Sequence, residues 1–132
     1  MPDYHELAGL DASVDRVEHT RDAQNSAGRP HRFVYHITIR NDTLRVVTIS
    51  GRKWLIVNEQ GQRLMIEGDG LLGQFPRLTP GDRFRYNSYH LVNTTSVAEG
   101  VYFARDEDGQ NLLIRIPSFK LVVPADADVQ PR

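Results

Sequence analysis

Alternating apolar and polar residues predict β-strands along most of the chain. The clearest run is Arg32–Arg40, where the apolar residues share one face and the polar ones mostly line the other. A period of two is that of a half-buried strand. Lys53–Val57 is apolar on both faces around Trp54, which favours a strand covered on each side. Further strands are predicted at Leu44–Ile49, Arg63–Glu67, Asp82–His90, Val97–Ala104, Asn111–Ile116 and Phe119–Val123, with a weaker early one at Val14–His19.

Turn residues separate these runs at intervals of about 8–12 residues, and no segment sustains a period of 3.6. Asn58–Gly61 is a hairpin signal, and Asp106–Gly109 is a second turn. Seven to eight short strands with this spacing predict an all-β fold: an antiparallel β-sandwich, with a barrel as the alternative. Pro117 lacks a backbone donor, so we expect a bulge or a change of sheet before Phe119–Val123.

The length of 132 residues suits one domain. We assign residues 13–124 to it, preceded by an N-terminal segment, 1–12, that can be flexible and followed by a small, polar and disordered tail, 125–132. Gln24–Pro30 is predicted to be a loop.

Composition removes several classes of function. The net charge of −1 argues against a general nucleic-acid or membrane binder, because neither partner would meet an attracting field. The absence of Cys excludes disulfides, thiolate zinc sites and Cys nucleophiles. The chain starts without a basic segment followed by an apolar one, so we expect a soluble cytoplasmic protein.

The most conspicuous motif is the glycine loop, which we define as residues 68–73. It contains a G-x-G-x-x-G pattern formed by Gly68, Asp69, Gly70, Leu71, Leu72 and Gly73. In a dinucleotide-binding fold such glycines open a helix, but Pro76 and Pro80 follow too closely for one. Two interpretations stay open: backbone N–H groups that form an anion-binding nest, with Arg77 nearby, or glycines that allow a tight crossing between sheets.

Metal and catalytic signals are weak. His31 and His36 are an odd number of residues apart, so in one strand they point to opposite faces and cannot share an ion. The carboxylates of Asp106–Gly109 lack the ligand spacing of an EF-hand loop. No nucleophile elbow or H-E-x-x-H motif is present. We therefore expect no cofactor, no metal and no enzymatic activity.

The positions of the aromatic residues predict core packing rather than a surface that stacks nucleic-acid bases, because most of them share strand faces with Ile and Val. This core assignment includes Phe103, which shares an apolar face with Val97 and Val101. Tyr89 is the exception, since alternation places it with Arg83, Arg85 and Asn87. We expect an exposed Arg/Tyr face there, suited to contact with a partner.

Five segments together resemble the bacterial ApaG family. They are F-V-Y-H-I-T-I-R-N (Phe33–Asn41), G-R-K-W-L-I (Gly51–Ile56), E-G-D-G-L-L-G-Q-F-P-R-L-T-P-G (Glu67–Gly81), F-R-Y-N-S (Phe84–Ser88) and I-P-S-F-K-L-V-V-P (Ile116–Pro124). The resemblance runs from Val14 to Pro124. It implies a fibronectin type III-like sandwich, related to immunoglobulin-like folds, in a family of uncertain biochemical role linked to cobalt resistance and magnesium efflux. It also implies use as a protein-binding module, and a pyrophosphate or nucleotide site at the glycine motif.

One segment departs from the family pattern. Thr94–Tyr102 keeps Gly100 and Tyr102 but lacks the Pro, first Gly and Met of the usual Thr-Pro-x-Gly-x-Met-x-Gly-x-Tyr segment. A more regular edge strand is expected there.

Three hypotheses follow for function. The leading one is a non-enzymatic module that binds a protein partner. The alternative is a nucleotide or pyrophosphate binder that uses the backbone amides of residues 69–73 with help from Arg77. The third is metal binding through histidines.

Overall fold

The computed structural model describes residues 3–21 and 28–125, and these contain strands and turns but no helix. No described segment therefore has a helix long and apolar enough to cross a membrane. The strands are β1 (Leu10–Arg21), β2 (His31–Asn41), β3 (Val47–Asn58), β4 (Arg63–Asp69), β5 (Arg77–Leu78), β6 (Arg83–Val92), β7 (Ser96–Asp106) and β8 (Asn111–Leu121).

Two antiparallel sheets form the sandwich. Sheet B has the order β1-β2-β6, and sheet A has the order β4-β3-β7-β8, with the short β5 also paired to β3. The antiparallel β-sandwich prediction is confirmed, and the two separate sheets exclude the barrel. The edge strands are β1 and β6 in sheet B, and β4 and β8 in sheet A.

The core lies between the sheets, where alternate residues of the long strands are buried. Trp54 is at its centre, with ring centroids 5.0 Å from Tyr35 and 5.9 Å from Phe119. The inner faces predicted for β2 and for the start of β8 are confirmed by the burial of Phe33, Tyr35, Ile37, Ile39, Leu112, Ile114 and Ile116.

β3 differs from its prediction in its continuity, its start and the cover of its outer face. The two expected strands are one strand with a register shift between Ile49 and Gly51, because the Ser50-Gly51 signal is accommodated as a bulge. The strand begins at Val47, and Leu44 is 98% exposed. Leu55 and Val57 are only half-buried, so the expectation of cover on both faces was wrong.

β7 buries the face opposite to the predicted one. Ala98, Tyr102 and Ala104 are buried, whereas Val97 and Phe103 lie on the outer face of sheet A. Small inner residues leave room for the indole of Trp54: a Cβ on Gly100 would lie 2.9 Å from this ring. β7 also lies between β3 and β8, so the expectation of an edge strand was wrong.

β8 runs through Pro117 without changing sheet. Two of its residues, Pro117 and Ser118, face Glu99 alone, where the register with β7 shifts. The expected bulge is therefore present, because a residue without an N–H can remain in a strand where ladder pairing is interrupted.

β1 is much longer than the predicted Val14–His19. It carries many charges and a register shift at Asp15, which obscure the alternation. It starts at Leu10, and before it His5 bridges to Leu112 of β8. Of the predicted loop Gln24–Pro30 and tail 125–132, residues 24–27 and 126–132 lie outside the described residues.

Candidate functional site

The glycine loop folds into a two-residue hairpin beyond the end of β4. Leu71 and Gln74 exchange backbone hydrogen bonds, with N···O distances of 2.8 and 2.9 Å. Leu72 and Gly73 form the tip, with φ of 51° and 75°. Positive φ at both central positions is typical of a type I′ turn, the geometry that matches the twist of a hairpin.

Gly70 meets a steric requirement of this turn. Its φ is 60°, and a Cβ there would lie 2.3 Å from the carbonyl oxygen of Gln74. Gly68 lies under Arg52, since a Cβ there would be 2.6 Å from Nη1 of that guanidinium. These two glycines therefore allow close approach of backbone and side chain.

Several N–H groups of the proposed nest already bond the backbone of the protein. Gly70 donates to the carbonyl of Ser50 at 2.9 Å, and Leu71 donates to that of Gln74. Gly68 and Asp69 belong to the ladder between β4 and β3. Among the described backbone hydrogen bonds, none uses the N–H of Leu72 or Gly73. The loop can therefore offer these two donors at its tip to an anion.

A cleft of about 140 Å³ opens between the glycine loop and β6. Arg52 enters it from β3 and donates from Nη1 to the carbonyls of Asp69 at 3.0 Å and Gly70 at 3.1 Å. The residues that line it are Tyr35, Arg52, Asp69, Leu71, Leu72, Gly73, Tyr86 and Ser88. Arg77 is not among them; it lies exposed in β5, opposite Thr48 of β3.

The cleft is also lined by three residues with neutral hydroxyls: Tyr35, Tyr86 and Ser88. Burial raises the pKa of Tyr86, whose hydroxyl shares a hydrogen bond with that of Tyr102. Burial also raises the pKa of Tyr35, and a hydrogen bond with Ser88 partly offsets this effect. Neutral hydroxyls beside one cation can hydrogen-bond a small anion.

Arg52 is the residue that sequence reasoning missed. The signal was present, because alternation places Arg52 on the same face of β3 as Trp54. An arginine on a core-facing position needs polar partners, and here the loop carbonyls supply them.

Histidines form one pair that the sequence did not predict. His19 Nε2 and His31 Nδ1 are 3.0 Å apart across β1 and β2. His36 lies on the outer face and contacts Glu18 at 2.8 Å, so the opposite orientation of His31 and His36 is confirmed. The described residues contain no group of three or more His, Cys, Asp or Glu that could hold a metal ion.

The outer face of β6 carries the predicted Arg/Tyr surface. Arg83, Arg85, Asn87 and Tyr89 are exposed along it, with Tyr89 at 51%. The Arg32 guanidinium of β2 lies 4.8 Å from the Tyr89 ring centroid, and Arg83 pairs with Asp42 at 2.9 Å. The exposed face predicted from alternation is confirmed.

Comparison with known proteins gives consistent matches. The profile of the ApaG domain matches residues 21–106. Protein ApaG of Sodalis glossinidius is 38% identical over 94 residues, covering 70% of this chain and 75% of that protein. Protein ApaG of Vibrio vulnificus (strain YJ016) is 33% identical over 122 residues, covering 87% of this chain and 97% of that protein.

Solved structures show the same fold. The X-ray structure of the structural genomics target SoR45 is similar with a TM-score of 0.80 and 24% identity, covering 94% of each chain. A Bordetella pertussis protein is similar with a TM-score of 0.75 and 23% identity, covering 93% of this chain and 99% of that one.

Proposed function

We propose that this chain, which belongs to the ApaG domain family, is a non-enzymatic module that binds a protein partner. The contact surface comprises the tip of the glycine loop and the outer face of β6. The observation that carries the proposal is the conformation of Leu72, an exposed leucine at positive φ.

Leu72 is an unfavourable choice for folding alone. A left-handed conformation costs a non-glycine residue about 1–2 kcal/mol. The side chain is 59% exposed, so it recovers little by packing. Type I′ turns favour Asn at this position. A strained, exposed and apolar residue at the tip of a rigid hairpin is explained if its side chain contacts a partner.

Phe75 beside the loop and two exposed residues of β6 complete the proposed surface. Phe75 is 58% exposed and contacts the same loop, since a Cβ on Gly70 would lie 3.4 Å from its ring. Tyr89 and Arg85 are of the types that dominate binding energy at protein interfaces. The combination supports a contact that has an apolar centre and a cationic side.

Partner capture by a Leu72→Asn variant tests the proposal. The tagged protein, this variant and Leu44→Asn are compared by quantitative affinity capture from a cell lysate. Leu44 is the matched control, because it is another exposed leucine in a loop. We expect Leu72→Asn to remain folded and to lose about tenfold in capture, while Leu44→Asn retains it. Equal capture by both variants, or no enrichment over an unrelated β-sandwich, contradicts the proposal.

A second candidate function is binding of a phosphate or pyrophosphate group in the cleft beside Arg52. The N–H groups of Leu72 and Gly73, the Arg52 guanidinium and the hydroxyls of the cleft support it. The cleft of about 140 Å³ would take a phosphate-sized group, with the rest of a nucleotide outside.

Amide NMR titration with pyrophosphate and ATP distinguishes this candidate. Arg52→Gln should abolish saturable shifts in residues 69–73, whereas Arg77→Gln should leave them intact. Shifts that depend on Arg77 alone, or none at all, rule the cleft out.

The link to cobalt resistance and magnesium efflux that the family resemblance implies would act through the protein contact. We propose a cytoplasmic site of action, and fractionation of cells that express a tagged chain tests it. Recovery in the membrane fraction contradicts that location.

A further inference from the structure

We propose that β6 accepts an additional β-strand from the partner, and that this strand alternates acidic and apolar residues. The inference rests on the proposed function and specifies the chemistry of the ligand. It follows from three features of the molecule: the regularity of the β6 edge, its charge, and what lies on its inner side.

The four edge strands differ in regularity. β1 has a register shift at Asp15, and β8 has a bulge at Pro117 and pairs with His5 near its start. Bulges, prolines and covering segments are the devices that keep sheet edges from pairing with other chains. Within the described residues β6 contains no bulge and no proline, and its register with β2 runs unbroken from Arg83 to Val92.

β6 is a better template than β4, the other unbroken edge. β4 has seven residues against ten in β6, and β4 carries both signs of charge through Arg63, Glu67 and Asp69. β6 has two arginines and no acidic residue. Within the described chain β6 pairs only with β2, so the backbone groups on its other side can pair with an added strand.

Charges around the outer face of β6 favour acidic side chains on that strand. Neither β2 nor β6 contains Asp or Glu. The acids of this face lie on β1 and already have partners: Asp11 accepts from Arg40, Asp15 from Thr38, and Glu18 contacts His36.

Two of the three arginines nearest the β6 edge already have an interaction partner, and the third has no ion pair among the described residues. Arg83 pairs with Asp42, and Arg32 covers Tyr89. Arg85 is exposed, and no ion pair among the described residues includes it. Hydrogen bonds lower the pKa of Asp15 on β1, and the positive charge of Arg85 contributes to this shift. A carboxylate opposite Arg85 would add a favourable cross-strand pair.

Apolar side chains fit the inner side of an added strand. Successive residues of a strand point to opposite faces. Those beside Tyr86 and Ser88 would point toward the mouth of the cleft, where Leu72 is exposed. A partner segment with Asp or Glu at every second position and Leu or Val between them therefore matches both sides of the edge.

Synthetic peptides test strand addition directly. The probe is a fluorescent nine-residue peptide with Glu at odd positions and Val or Leu at even ones. The first control replaces every Glu by Lys. Two further controls carry N-methyl groups on alternate backbone amides, one set for each edge of the peptide. N-methylation removes the donors that pair with a sheet edge and leaves charge and side chains unchanged.

We expect saturable anisotropy changes for the probe and none for the Lys peptide. One of the two methylated peptides should bind at least tenfold more weakly, because only one edge of the peptide faces β6. Arg85→Glu should weaken binding about tenfold at low salt, since an attractive pair becomes repulsive. Lys120→Glu, the same change of net charge on sheet A, should stay within about twofold. Amides of β6 should gain protection from hydrogen exchange when the probe binds.

Equal binding of the probe and both methylated peptides overturns strand addition, as does the absence of any binding. Neither result affects the capture experiment with Leu72→Asn, which tests the protein-binding function independently. Loss of capture in that experiment together with failure of the peptides would mean that the surface binds a folded partner in another way.

Discussion

His90 should make the stability of this protein fall between pH 7.5 and pH 5. The side chain is on the inner face of β6 and only 4% exposed, with ring centroids 4.6 Å from Tyr35 and 4.7 Å from Trp54. Its Nε2 has no hydrogen-bond partner among the described residues. Burial lowers the pKa of His90 to about 4, from 6.5. The folded protein therefore excludes a proton that the unfolded chain binds readily.

The sign and size of the effect follow from linkage. The unfolded chain binds more protons than the folded one below pH 6.5, so the free energy of unfolding decreases as the pH falls. A difference between 6.5 and about 4 gives a loss of about 2 kcal/mol at pH 5 and about 3 kcal/mol at pH 4, after which the loss levels off. Hydrogen bonds lower the pKa of Asp15, Asp82 and Asp106, so these carboxylates titrate below this window.

Urea unfolding between pH 7.5 and 5.0, followed by the fluorescence of Trp54, measures the effect. His90→Phe keeps an aromatic ring between Tyr35 and Trp54 and removes the titrating group. We expect the wild type to lose about 2 kcal/mol more than His90→Phe across this range.

The same pH dependence in the wild type and His90→Phe would refute this reasoning. A direct measurement keeps the test decisive if the variant folds poorly. An NMR titration of the wild-type imidazole resonances should find the His90 ring still neutral at pH 5. A midpoint for His90 near 6.5 would equally refute the argument.

Glycine-loop and strand substitutions give three further predictions, each measured by urea unfolding. Gly70→Ala should destabilise the protein by about 3 kcal/mol, because its methyl group would lie 2.3 Å from a backbone carbonyl oxygen and positive φ adds strain. Gly73→Ala has positive φ but open space around the methyl group, so it should destabilise the protein by only about 1 kcal/mol. Equal losses of stability in the two variants contradict the steric argument. Leu72→Asn should gain about 0.5–1 kcal/mol, since Asn suits this turn, and a loss of stability would mean that the leucine packs after all. Gly100→Ala should cost about 2–3 kcal/mol, because its methyl group would lie 2.7 Å from the carbonyl oxygen of Lys53 and 2.9 Å from the Trp54 ring, and a neutral result would contradict the steric argument.

Local patterns in the sequence were sufficient for the sandwich and for one part of the candidate surface. Alternation within β2 and β6 identified their inner faces and the exposed position of Tyr89, because neighbouring residues of a strand must point to opposite sides. Glycines and the Asn58–Gly61 signal located turns, since few other residues adopt positive φ without strain. These features depend on residues close together in the chain.

Tertiary packing decided which of two plausible faces is buried and which distant groups meet. β7 has apolar residues on both faces, and the buried face is the one that places Gly100 opposite Trp54 of the adjacent strand. Arg52 reaches the glycine loop because β3 and β4 pair in one particular register. A strand's periodicity defines two faces but not which one is covered, because the covering residues come from strands far away in the chain.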